Sequence, residues 1–211
     1  MKDWDGMKWF GFVVLVVLVV LYLVIEYAWV SRDLTQVNGE VSFADLKTGD
    51  IVLFHSMPTD KFHDKLIELC SSSPYKHAGI VNGNDLIEIR ARDGVITNNN
   101  LFDRLNKNII HVRRWKGVNR DMFNEIFSGL RENKVKYDFN PMLWISALFY
   151  QLSGISLTDT LSDKFICSNL VAYCMHMAGG ENIKNWHLMS PGDIARFESH
   201  GAWDDIERLV F

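Results

Sequence analysis

From Trp9 to Ile25 every residue is apolar (WFGFVVLVVLVVLYLVI), and after Glu26 the run resumes through Tyr27, Ala28, Trp29 and Val30. A helix needs about 20 mostly apolar residues to cross the hydrocarbon of a bilayer, and Trp9, Tyr27 and Trp29 fall where an interfacial aromatic belt would lie. A secretory signal has a core of about 7–15 residues and a small-residue cleavage site. This run is longer, and Glu-Tyr-Ala-Trp-Val-Ser is a poor site for cleavage. The pattern therefore predicts a retained single-span anchor over residues 9–30, with the lipid bilayer as its partner, behind a short tail of residues 1–8. Lys2, Lys8 and the N-terminal amine precede the span and Arg32 follows it. That bias places the N-terminus in the cytoplasm and the rest of the chain outside it.

Beyond the span the pattern changes character, and no second segment approaches that length. Residues 31–44 read as a polar linker, and a short helical turn is expected around Phe43 to Leu46. Ile51-Val52-Leu53-Phe54 reads as a short buried strand and Lys61 to Leu69 as a helix with Phe62, Leu66 and Leu69 on one stripe. A meander follows: His77 to Val81, Asp85 to Ala91 and Val95 to Thr97, punctuated by Asn82-Gly83 and Asp93-Gly94. Ile109 to Arg113 is a further strand. Helices then take over. Asn119 caps a run whose Met122, Phe123, Ile126, Phe127 and Leu130 share a face, and Asn140-Pro141 opens a second, apolar nearly all round from Met142 to Leu152. Cys167 to Met177 forms a third, stopped by Gly179-Gly180, and Ser190-Pro191 starts a short last one. Strands segregated from helices predict an α+β domain over residues 45–211, an antiparallel meander packed on helices.

A net charge of −4 supplies no basic footprint for nucleic acid. Cys70, Cys167 and Cys174 are too few for a disulfide scaffold, and Cys167 and Cys174 stand about 10 Å apart along one helix, too far to bridge. No metal-binding spacing such as H-E-x-x-H occurs, so neither a metal nor a cofactor is expected.

Cysteine chemistry is the alternative that the pattern offers. A free thiol has a pKa of about 8.5 and becomes a nucleophile at neutral pH at a helix N-terminus or beside an imidazole. Cys167 opens a predicted helix, and His77 lies in a hairpin strand ninety residues earlier. If Asn82 and Gly83 are the two turn residues, positions whose numbers sum to 165 face each other, and His77 falls opposite Glu88. A four-residue loop from Asn82 to Asp85 shifts the sum to 167, and the pair becomes diagonal on the same face. Either register sets a carboxylate against the imidazole, which fixes the tautomer of a base and stabilises its cation. Ala78, Ile80, Ile87 and Ile89 then face a core.

Cys167, Val171, Cys174 and Ala178 also fit a buried stripe, and cysteine packs well in cores. The first helical turn sets Cys167 apart, because unpaired backbone N–H groups there favour a thiolate and can bind an oxyanion. Cys174 is assigned to packing, and Cys70 has no evident partner. His176 falls on the opposite helix face from Cys167, His187 lies too near the C-terminus for the usual papain order, and His55 is a spare that could line a cleft.

These residues resemble a known family. Gly49-Asp50-Ile51-Val52-Leu53-Phe54, His77-Ala78-Gly79-Ile80-Val81 and Leu86-Ile87-Glu88 look like the first half of the circularly permuted NlpC-type papain-like enzymes. Tyr137-Asp138 and Ile166-Cys167-Ser168-x-Leu170-Val171 look like the second, and Ser190-Pro191-Gly192-Asp193 lies near its end. The similarity is to the YiiX-type branch, with poxvirus relatives and lecithin:retinol acyltransferase-like proteins as distant cousins. It implies Cys167 as nucleophile, His77 as base and Glu88 as the group orienting it. The position two after the cysteine, often Glu in this branch, is Asn169 here, which bears on substrate contacts. The expected function is a membrane-anchored cysteine hydrolase of amidase or peptidase type, acting on a peptide, cell-wall or lipid acyl substrate. A lipid acyltransferase or thioesterase of the same fold, or a catalytically silent binding module, are the rival readings.

Overall fold

The uninterrupted apolar run Ile51–Phe54 becomes the central strand of a seven-stranded sheet and is buried on both faces, each side chain at most 1% exposed. This computed structural model describes residues 37–60, 73–90, 93–98, 100–115, 119–138, 165–179, 185–197 and 203–211, with 16, 19, 20, 22, 64, 67, 68, 71 and 183 besides. The strands are β1 (Glu40–Ser42), β2 (Ile51–His55), β3 (Tyr75–Asn82), β4 (Asp85–Arg90), β5 (Gly94–Asn98), β6 (Ile110–Trp115) and β7 (Trp203–Val210). They lie in the order β1-β7-β6-β2-β3-β4-β5, antiparallel throughout except where β1 meets β7. The helices are α1 (Leu101–Leu105), α2 (Arg120–Glu132), α3 (Cys167–Gly179) and α4 (Pro191–Arg196). The described residues thus form an α+β arrangement, as expected. No helix among them is long and apolar enough to cross a membrane. Of the span at residues 9–30 only Val16, Val19, Val20 and Tyr22 are described, all helical and exposed, so that expectation lies almost wholly outside the described residues. The same holds for the Met142–Leu152 helix and for Cys70.

Strand alternation divides the core in two, because successive side chains of a strand point to opposite faces. Ile51, Leu53, Ala78, Ile80, Ile87 and Ile89 meet Phe123 and Phe127 of α2, Leu170, Val171 and Met175 of α3 and Ile194 of α4. The other face joins Val52, Phe54, Val81, Leu86, Ile110 and Val112 to Leu101 and Leu105 of α1. Burying each such side chain contributes about 1.5–3 kcal/mol. Ser190 and Asp193 form a reciprocal capping box around Pro191 at the start of α4, so the Ser-Pro-Gly-Asp motif is explained by helix initiation. Gly49-Asp50 is likewise a turn: Asp50 accepts from the Lys47 backbone N–H at 2.8 Å and binds Arg114 through both carboxylate oxygens at 3.0 and 2.9 Å.

The structure decides between the two hairpin registers that the sequence leaves open, and two further features differ from the sequence expectation. The β3–β4 turn residues are Gly83 and Asn84, with Asn82 paired to Asp85, so the register sum is 167. Gly83 takes φ +60, which only glycine adopts without strain, and that moves the turn one residue along. Strand β7 has an Asp-Asp-x-Glu-Arg pattern too polar to read as a strand; pairing between β1 and β6 supplies its order. Strand β1 also brings the sheet back to Glu40, inside the segment read as linker.

Gly94 carries a stability prediction. It sits at φ +73 where a Cβ would press into the Val135 carbonyl. Gly94→Ala is expected to lower the free energy of unfolding by about 2 kcal/mol or more, combining left-handed strain with that clash. Denaturation midpoints of the two proteins check this, and equal midpoints would contradict the close approach.

Candidate active site

His77 owes its position to an irregularity in β3. Phe54 pairs with His77 but His55 pairs with Tyr75, so Lys76 is an extra residue in the β2–β3 ladder. A bulge of this kind raises local twist and re-aims a side chain. Its effect here is that Tyr75 joins the helix-side core while the His77 ring packs 5.2 Å from Phe54. His77 Nε2 lies 2.8 Å from Glu88 Oε2, the diagonal pairing that the 167 register gives. That contact leaves Nδ1 for the second hydrogen bond, to the sulfur of Cys167.

Cys167 is the first residue of α3, and the residue is 2% exposed yet forms part of a cleft wall. Burial opposes the thiolate, but the His77 charge, its hydrogen bond and backbone N–H groups of Ala78 and Ser168 outweigh burial and lower the thiol pKa. His77 responds in the opposite direction. Burial disfavours its cation, whereas the Cys167 thiolate and the Glu88 carboxylate favour it, and its pKa rises to about 9. The two shifts have opposite sense and each charge favours the other, the pattern that sustains a thiolate–imidazolium pair. Cys174, seven residues further along the same helix, is buried with no such partner, and burial alone pushes its thiol up to about 12. It packs in the core, as its place in the helix predicts.

Glu88 is fully buried and is held by more than the imidazole. Arg90 donates Nε at 3.0 Å and Nη2 at 2.5 Å to Oε1, and Arg104 of α1 donates Nε and Nη2 at 3.0 Å across both oxygens. Burial alone would raise the carboxyl pKa, yet the His77 and Arg104 hydrogen bonds and charges hold it far below the usual range. Arg104 also lies 4.4 Å over the Phe54 ring, which fixes its plane. The cleft measures about 350 Å³ and is walled by Phe54, Asp64, His77, Arg90, Arg104, Tyr137 and Cys167, among others.

Tyr137 reaches this cleft through an isolated parallel bridge to Phe165, tied by Asp138 N–H to Phe165 O at 2.8 Å and Phe165 N–H to Lys136 O at 3.1 Å. Burial, then the charges of Cys167, Asp138 and Asp64, keep its hydroxyl protonated well above the usual range. Asn169 does not line the cleft. It is buried and donates Nδ2 to the His187 carbonyl at 2.6 Å, a tie between α3 and the Trp186–Leu188 turn. His55 packs edge-on against Tyr75 and His111, away from the cleft wall, and neither His176 nor His187 lines it. Among the described residues no group of three or more His, Cys, Asp or Glu side chains is disposed to hold a metal ion.

The structure thus brings together the three residues singled out from sequence, and adds Arg90, Arg104 and Tyr137 to them. No protein-family model matches the chain, and no curated protein matches it. Among solved structures it is similar to the metalloprotein YiiX from Escherichia coli O157:H7, at 19% identity over 65% of this chain and 68% of that one, with a TM-score of 0.43.

Proposed function

We propose that this protein is a cysteine hydrolase of permuted papain-like type, anchored by residues 9–30, that cleaves an amide or ester through an acyl-thioester on Cys167. The observation that supports this is the hydrogen-bonded series Cys167–His77–Glu88 opening into a cleft, with the sulfur at a helix N-terminus. The Cys167 thiolate adds to the carbonyl carbon, and the carbonyl π pair moves onto oxygen. In this scheme the backbone N–H of Cys167, first in its helix, and the hydroxyl of Tyr137, in the cleft wall, donate to that oxyanion. His77 then gives its Nδ1 proton to the leaving nitrogen or oxygen as the bond to carbon breaks. Water attacks the thioester, His77 takes its proton, and collapse releases the acid and the thiolate. An alcohol or amine in place of water gives acyl transfer by the same steps. Glu88 keeps Nε2–H engaged throughout, so that Nδ1 is the nitrogen that exchanges protons.

A thiol-directed acyl probe tests the assignment. Peptide mass spectrometry is expected to find the adduct on Cys167 and not on Cys174, and Cys167→Ala is expected to abolish it. Labelling that survives this substitution would end the proposal.

A further inference from the structure

Resting on the cysteine-hydrolase reading, we propose that the cleft takes substrates carrying an anionic group, a carboxylate or a phosphate, bound by the free arms of Arg90 and Arg104. Glu88 occupies Nε and Nη2 of both guanidiniums. The Nη1 of each, with two N–H donors, has no hydrogen-bond partner among the described residues. Both arginines line the cleft beside Cys167 and His77, and their side chains are 39% and 24% exposed, so a ligand reaches them. At the arginine pair itself the charges do not cancel. Glu88 offsets one guanidinium, the Cys167 thiolate offsets the His77 cation, and one positive charge is left over. Lys76 adds nothing to the surplus, because Asp60 pairs with it at 2.5 Å. Asp64 also lines the cleft, and its charge acts on Tyr137.

A guanidinium fork matches the paired oxygens of a carboxylate or phosphate. The stack of Arg104 on Phe54 holds that fork in place before a ligand arrives. An apolar group filling the same wall would strip water from these donors and offer nothing in return. The substrate class is therefore an acyl compound with its anionic group on the imidazole side of the scissile bond.

The full chain in nonionic micelles is to be alkylated with iodoacetamide, with and without inorganic phosphate or glutarate at constant ionic strength, and modified Cys167 counted by mass spectrometry. At least one anion is expected to slow the reaction saturably, by about fivefold or more. In Arg90→Gln and Arg104→Gln the protection should fall below about twofold. Each ratio is taken within one variant, so changes in intrinsic reactivity cancel. Protection by glutarate alone assigns a carboxylate ligand and protection by phosphate alone a phosphate. Phosphatidylglycerol in the micelles, replacing free phosphate, separates a lipid headgroup from a soluble source. No protection of the natural protein, or equal protection of the variants, overturns the proposal. Should Cys167 resist iodoacetamide altogether, the hydrolase reading fails instead. Calorimetric titration with phosphate and glutarate then decides the anion site alone: heat lost in Arg90→Gln supports it, and no heat from either anion overturns it.

Discussion

Replacing His77 by alanine is expected to slow alkylation of Cys167 at pH 7 by about 100-fold, and turnover by at least as much. The cause is visible in the same helix. Cys167 and Cys174 are both buried, and what distinguishes their thiols is the imidazole and the backbone N–H groups at the helix start. Without His77, burial dominates, and the Cys167 thiol moves toward the raised value of Cys174. The pH profile makes the effect specific. In the natural protein the reactive ion pair is lost in acid, as the lowered thiol takes up its proton, and in alkali, as His77 loses its proton near pH 9. Turnover should therefore be bell-shaped with its alkaline limb near 9. In His77→Ala the bell should vanish and alkylation should climb steadily with pH. A variant that keeps the natural profile would show that the imidazole does not ionise the sulfur.

The part of this site that sequence revealed is the part that local rules govern. His77 and Glu88 share a face because the side-chain period of a strand is two and an Asn-Gly signal sets the turn within one residue. Of the two registers open to that signal the chain takes the sum of 167, which makes the pair diagonal without separating it. Cys167 was legible because a helix start changes the chemistry of a thiol. Arg90 was equally accessible, being two residues from Glu88 on one strand and hence on its face. An arginine near a strand end reads as solvated, so the strand pattern alone does not mark it as part of a site. Arg104 and Tyr137 are different. Each comes from a segment whose approach to the cleft depends on tertiary packing, α1 against Phe54 in one case and the Phe165 bridge in the other. Neither carries a period or turn signal. The Lys76 bulge, which aims the imidazole, leaves no sequence mark at all.

Removing the carboxylate of Glu88 should destabilise the fold as well as inactivate. Its side chain is fully buried and counters two guanidiniums and an imidazolium. Glu88→Ala leaves the two guanidiniums facing one another without their counter-charge, and breaking a buried pair in this way costs about 3–5 kcal/mol. For a domain of this size that is a fall in melting temperature of roughly 10 °C. Glu88→Gln keeps the shape and one acceptor oxygen, so it should fall between alanine and the natural protein. Catalytically, the glutamine still holds His77 by that oxygen but no longer favours its cation. The alkaline limb of activity should then move below 9, with kcat falling more than KM rises. The acid side separates this from simple misfolding. Glu88 is held below its ordinary pKa of 4.5, so its contribution to stability is fully present above pH 4.5 and is lost as the pH falls through its folded value. The gap in melting temperature between the natural protein and Glu88→Gln should therefore be widest near neutrality and close progressively below pH 4.5. A gap that stays constant into acid would mean that Glu88 acts by shape alone, and that its charge neither stabilises the fold nor sets the proton on His77.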